Sequence, residues 1–210
     1  MISFSSKKRK YVPYVSILTG LLLLFAMLWL NWHDHNHQVF KQWAIKTNGF
    51  FVFLSQEPGQ AFRLISALFL HGNWSHWLIN CSVFVLLAFS IERVLGWQRF
   101  TLLYFGAGII GNLAACLTLS SSNHVLLGAS GAVSGLIGAW LVLFPGRNIR
   151  FIFPIGLYLQ KTSLPLTVVV FLWLSIQISL QFMASNLYNV AWISHIAGFT
   201  AGFLLARFVK

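Results

Sequence analysis

Four polar residues stand inside otherwise apolar stretches of this 210-residue chain: His76, Asn80, Ser130 and His195. Polar side chains in hydrocarbon are costly, so such positions are the first candidates for chemistry. A serine hydroxyl is a poor nucleophile until a base takes its proton, and a neutral imidazole is the usual base near pH 7. Ser130 as nucleophile with His195 as base would perform acyl transfer. The oxyanion formed in that reaction needs hydrogen-bond donors. The backbone N–H groups of a helix starting near Ser130 supply them, aided by the helix dipole, and His76 and Asn80 add side-chain donors. Gly128 and Gly131 flank the serine and let the backbone turn sharply around it.

The acids narrow the chemistry by their scarcity. Asp34 and Glu57 fall between apolar runs and Glu92 at the end of one, so none stands level with His195. A Ser-His dyad is expected rather than a triad with a carboxylate. An aspartic protease needs two facing acids, and a zinc protease of the common helical type needs H-E-x-x-H; neither pattern is present. The alternation His33, His35, His37 is read as interfacial residues rather than as metal ligands, and no metal or cofactor is assigned. Cys81 and Cys116 lie within apolar runs and are read as packing residues.

The elements that position these residues follow from composition. Hydrophobic residues make up 58% of the chain and charged residues 8%, with a mean hydropathy of +0.76, which describes a membrane protein. Runs long enough to cross about 30 Å of hydrocarbon occupy residues 12–32, 77–95, 100–119, 164–184 and 191–209. A sixth, 130–144, is short, Gly-rich and closed by Pro145-Gly146. The fold class expected is therefore all-α, with six transmembrane helices. The net charge of +11 points to nucleic acid only until the basic residues are located. With the cluster at residues 7–10 inside, six crossings put Arg93, Arg99, Arg147, Arg150, Lys161, Arg207 and Lys210 on the same side. Only Lys41, Lys46 and Arg63 then fall outside, which supports an N-in, C-in orientation and no nucleic-acid partner. Residues 1–11 are expected to be a basic cytoplasmic N-terminus and 12–210 one six-helix domain. Its first span is read as a retained anchor, since no A-x-A-like end follows it. The long outer connection, 33–75, carries Phe40, Trp43, Phe50, Phe51, Phe53 and Phe62 and suits the membrane interface. Trp97 and Trp192 are read as interface anchors, and 145–163 as a basic inner loop.

Counting residues from the inner ends of the spans gives depth. At 1.5 Å per residue, Ser130 stands ~21 Å above Phe144, His195 ~18 Å above Arg207 and Asn80 ~18 Å above Glu92. All three reach a similar level, with His76 one turn above Asn80 on the same face. Small residues let helices approach closely. Gly131, Gly135 and Gly138 form one such stripe, and Gly198 and Gly202 another on the face that carries His195.

These motifs resemble the rhomboid intramembrane serine proteases. Gly128-Ala129-Ser130-Gly131 is similar to the family's G-x-S-G, whose serine is the nucleophile. His195, followed by Gly198 and Gly202, resembles the catalytic histidine segment of the last core helix. The stretch from His71 to Asn80 resembles the second-helix pattern, which implies an oxyanion role for His76 and Asn80. Phe62-Arg63 and Glu92-Arg93 resemble two further family pairs. The likeness runs from about Phe62 to the C-terminus. Where some members carry an aromatic residue near the histidine, this chain has Ser134, a second hydroxyl on the Ser130 face.

What the residues and the resemblance together imply is an intramembrane serine endopeptidase. It would cut transmembrane segments of membrane proteins near the outer leaflet through an acyl-enzyme. Its partners would be a transmembrane substrate and the lipid bilayer, and its location the bacterial inner membrane. An alternative is a catalytically silent, rhomboid-like binding or quality-control factor; a transporter using His76 and His195 to handle protons is a third reading.

Overall fold

A computed structural model describes residues 11–33, 44–47, 60–118, 124–155, 158–184 and 191–209. Its long helices are α1 (Tyr14–His33), α2 (Trp74–Leu95), α3 (Trp97–Thr118), α4 (Ser130–Leu143), α5 (Leu166–Ala184) and α6 (Trp192–Val209). Five of them are long and apolar enough to cross a membrane. The exception is α4, whose 14 residues span about 21 Å. The chain is thus a mostly helical, multi-pass membrane protein. Large side chains face outward along α1 and α5, among them Phe25, Leu28, Phe171 and Phe182, as lipid contact demands.

Local signals set the boundaries. Asn73 caps α2, its side-chain oxygen accepting from the His76 N–H at 2.8 Å, so α2 begins at Trp74, three residues before the apolar run itself. Gly96 separates α2 from α3 in a single residue, at a φ of 78° that a side chain would strain. Its N–H closes α2 on the Glu92 carbonyl at 2.8 Å.

Glu92 is fully buried. Its carboxylate accepts from Tyr11 Oη at 3.0 Å, from the Val15 N–H at 3.1 Å, and from the N–H and hydroxyl of Ser16 at 2.6 Å each. Those N–H groups belong to the first turn of α1, where helix donors have no partner of their own and the dipole favours an anion. Near the other end of α2, Trp77 Nε1 donates to the Leu23 carbonyl at 3.1 Å. The two anchors make α1 and α2 antiparallel.

At the centre is α4, buried on nearly every side, with Gly131, Ala132, Val133, Ser134, Gly135, Leu136, Gly138 and Ala139 all covered. In lipid no hydrophobic force drives helices together, so association depends on close packing. Here it is very close. A Cβ on Gly198 would strike the Gly131 carbonyl, one on Gly202 the Gly135 carbonyl, and one on Gly138 the Phe199 carbonyl. The third wall is α3, where Gly108 and Gly111 serve the same purpose against Leu68 and Ser194. Gly135, Gly198 and Gly202 lie at a close seam between α4 and α6, and the α3 glycines extend it.

The expectation of an all-α chain needs correction, because two small antiparallel sheets accompany the helices. β1 (Ile45–Thr47) pairs with β2 (His124–Leu126), Ile45 opposite Leu126. β3 (Asn148–Ile155) pairs with β4 (Tyr158–Pro165) from Asn148↔Pro165 to Ile155↔Tyr158. Residues 145–163, read as a basic loop, are therefore largely a hairpin. Its first strand reads Ile149, Phe151, Phe153 and Ile155 on one face, but Ile152 falls on the other, so the alternation is broken and the strand carries no clean period-2 signal. Before α2, three short helical turns, Gln60–Phe62, Arg63–Ser66 and Ala67–Phe69, precede His71. Asn112 Nδ2 of α3 donates to the Leu64 carbonyl at 2.9 Å and pins them down.

Several expectations lie outside the described residues: the basic cluster at 7–10, Asp34, His35 and His37, most of the aromatics of the 33–75 connection, and Glu57.

Candidate active site

Gly128, Ser130 and Ser134 from the α4 side, His76 and Asn80 from α2, and His195 from α6 all line one cavity of about 710 Å³. Its wall is completed by α5 through Trp173 and Gln177.

The serine side is set by a turn. Gly128 has a φ of 119°, a region closed in practice to residues with a Cβ, and its N–H donates to the Ala67 carbonyl at 2.8 Å. The reversal lets α4 start at Ser130. The first bond back along the chain is Val133 N–H to the Ala129 carbonyl, at 2.8 Å. The amides of Ser130, Gly131 and Ala132 precede it and have no carbonyl behind them in the helix. Gly131 is placed differently from expectation. It is helical rather than part of the turn, and a Cβ there would meet Ser194 Oγ at 2.9 Å, so its smallness admits α6 instead of bending the chain.

Ser134, the second candidate hydroxyl, donates to the Ser130 carbonyl at 2.7 Å. This is the back-bond that a serine within a helix readily forms. Its proton is directed along α4, although the residue borders the cavity.

On α2 the capping of His76 by Asn73 holds the first turn, and the His76 ring lies against Gly128; a Cβ on that glycine would stand 2.7 Å from Cε1 and 3.0 Å from Nε2. The imidazole is thereby placed beside the turn that leads into Ser130. It also meets His71 edge to face, centroids 5.1 Å apart. Asn80 is buried and gives one Nδ2–H to the His76 carbonyl at 3.0 Å. A primary amide carries two such donors.

His195 has two neighbours that sequence reading did not foresee. Gln177 Oε1 of α5 lies 2.7 Å from Nδ1. Trp192 meets the ring edge to face at 5.8 Å and lines the same cavity, so it borders the site. Gln177 carried a legible signal, being a polar residue in the middle of a span. Its partner did not, because the contact joins two helices whose relative rotation no sequence period specifies. Ser194, also overlooked, is buried between α6 and the glycines of α3 and α4.

Among the described residues no group of three His, Cys, Asp or Glu could hold a metal ion. The arrangement offers a hydroxyl at a helix N-terminus, an imidazole from another helix, and donors around both. That set suits nucleophilic attack on a carbonyl.

Comparison with known proteins agrees with this architecture. The rhomboid domain model matches residues 58–210. The rhomboid protein YdcA of Bacillus subtilis is 33% identical over 196 residues, covering 93% of this chain and 89% of its own. The same organism's rhomboid protease GluP is 28% identical over 88% of this chain, though the match takes in only 32% of GluP. Human inactive rhomboid protein 2 is 30% identical over 77% of this chain and 17% of its own length. The chain belongs to the rhomboid family.

Proposed function

We propose that the protein is an intramembrane serine endopeptidase in which Ser130 is the nucleophile and His195 the base. The observation that carries the reading is that Ser130, at the N-terminus of a buried helix, shares one cavity with His195, His76 and Asn80. Family membership and the protease names of relatives such as GluP support it.

In the proposed reaction the Ser130 hydroxyl attacks the carbonyl carbon of the scissile bond while its proton passes to His195. The oxyanion is met by the first N–H groups of α4, with His76 and the free Asn80 donor beside them. The C–N bond then breaks, the departing amine takes the proton from His195, and the acyl chain stays on Ser130. Water, deprotonated by His195, hydrolyses the ester and restores the serine. A membrane-spanning substrate has its peptide bonds shielded by helical hydrogen bonding, so cleavage falls where the helix begins or is weak. The basic residues favour six crossings with both termini inside, which puts the site toward the outer face of what we take to be a bacterial inner membrane.

The test is labelling with a fluorophosphonate in membranes. The parent is expected to label, and Ser130→Ala and His195→Ala to lose it. Equal labelling of all three, or none in the parent while a test substrate stays uncut, overturns the reading. The latter result favours a catalytically silent binding factor; the family includes a relative whose name is inactive rhomboid protein 2.

A further inference from the structure

The bond between Gln177 and His195 has no place in a two-residue mechanism. His195 stands in the first turn of α6 and Gln177 about halfway along α5, yet Oε1 and Nδ1 are 2.7 Å apart. Gln177 is buried and lines the same cavity as Ser130. A buried amide oxygen whose partner among the described residues is this ring makes a specific arrangement rather than a surface encounter.

A neutral imidazole carries one N–H, and which nitrogen bears it decides which can act as a base. An oxygen facing Nδ1 requires the proton there. Nε2 is then left with its lone pair, the form required to take a proton from Ser130. We infer that Gln177 is a positioning residue of the active site, its carbonyl oxygen holding His195 in the Nδ1–H form and fixing the ring by a bond from α5. The role is the one a carboxylate fills in a hydrolytic triad, orienting the base and selecting its tautomer, here taken by a neutral amide where the described residues place no acid beside the ring. Ser134, whose hydroxyl is turned to its own helix, cannot supply it. Trp192 touches the ring edge to face and limits its rotation, but no oxygen of it can select the tautomer.

The inference rests on the Ser130–His195 reading for its catalytic meaning, while the contact itself can be tested alone. The experiment uses the full chain in detergent micelles with 15N-labelled histidine. The His195 ring nitrogens are assigned by comparison with His195→Ala, and the rate of fluorophosphonate labelling is measured in parallel. In the parent, 15N shifts are expected to show protonated Nδ1 and unprotonated Nε2. Gln177→Met, apolar and close in volume, is expected to lose that single tautomer and to label about ten- to a hundredfold more slowly, a part of the 10²–10⁴ that a positioned acid–base group contributes. Gln177→Glu restores an oxygen at the same reach and is expected to recover most of the rate. A residue that mattered only for packing would show the opposite order, with methionine tolerated and glutamate not. An Nε2–H tautomer in the parent overturns the inference with no variant needed, and so does a Gln177→Met protein with parental shifts and rate. A parent with the Nδ1–H tautomer but no Ser130-dependent labelling counts against the protease reading instead, and leaves the contact standing.

Discussion

The imidazole of His76 rests on the α-carbon of Gly128, close enough that a methyl group there would stand 2.7 Å from Cε1. One glycine thus serves two helices. Its φ of 119° turns the chain into α4, and its bare face receives a ring from α2.

Gly128→Ala is therefore expected to fail on both counts. The left-handed conformation costs a residue with a Cβ about 1–2 kcal/mol, and the added methyl displaces His76 from beside Ser130. Loss of a single oxyanion donor lowers the rate by about 10²–10³, so labelling of Ser130 by a fluorophosphonate should drop at least a hundredfold in order of magnitude. Parental labelling in Gly128→Ala would show that the ring has no part in the reaction.

Glu92 is expected to be a point of stability remote from the chemistry. Its carboxylate satisfies three groups in the first turn of α1, and the Tyr11 hydroxyl besides. Hydrogen bonds to a charged acceptor contribute about 1.5–3 kcal/mol each, though not additively. Glu92→Ala should lower the unfolding free energy by about 3 kcal/mol or more, and Glu92→Gln, which keeps an acceptor, by less. Thermal unfolding in detergent measures both, and equal midpoints for parent and Glu92→Ala would refute the tether.

His71 contributes a share of acid sensitivity that one substitution can isolate. It lies in the connection before α2, and burial, with a smaller contribution from His76, moves its pKa from 6.5 down to about 4. The unfolded chain takes up a proton below about pH 6.5 while the folded one does not until near pH 4, so the neutral ring's contribution is lost as the pH falls through that interval. The slope is about 1.4 kcal/mol per pH unit at most. His71→Phe should unfold with a weaker pH dependence than the parent between pH 6.5 and 4.5. Identical dependence in the two proteins would assign the sensitivity elsewhere.

Much of this was legible because lipid restricts what a sequence can do. Once the spans were placed, helical rise alone brought Ser130, His195 and Asn80 to one level, and they line one cavity. The glycines at 135, 198 and 202 announced the seam between α4 and α6, since only small residues allow backbones so near. What stayed hidden depends on relations between elements. The Gln177–His195 bond requires the rotation of α5 about its axis, which no periodicity encodes. The hairpin of β3 and β4 was masked by its basic residues, which suited an inner loop equally well. Gly131 was assigned to the turn by adjacency to Ser130, whereas the turn lies wholly on the other side of the serine, at Gly128.

Ser134 tests the choice of nucleophile directly, because it is a second hydroxyl on the wall of the same cavity. Its proton is given to the Ser130 carbonyl at 2.7 Å, and a hydroxyl so engaged points along the helix and away from a substrate. Such back-bonding contributes little to a helix, so Ser134→Ala should fold normally, with stability within about 0.5 kcal/mol of the parent or slightly above it. Labelling should persist at close to the parental rate, while Ser130→Ala abolishes it and the double variant behaves as Ser130→Ala does. If Ser134→Ala alone silenced the protein, the nucleophile would be Ser134, and the turn at Gly128 would serve only to start the helix that carries it.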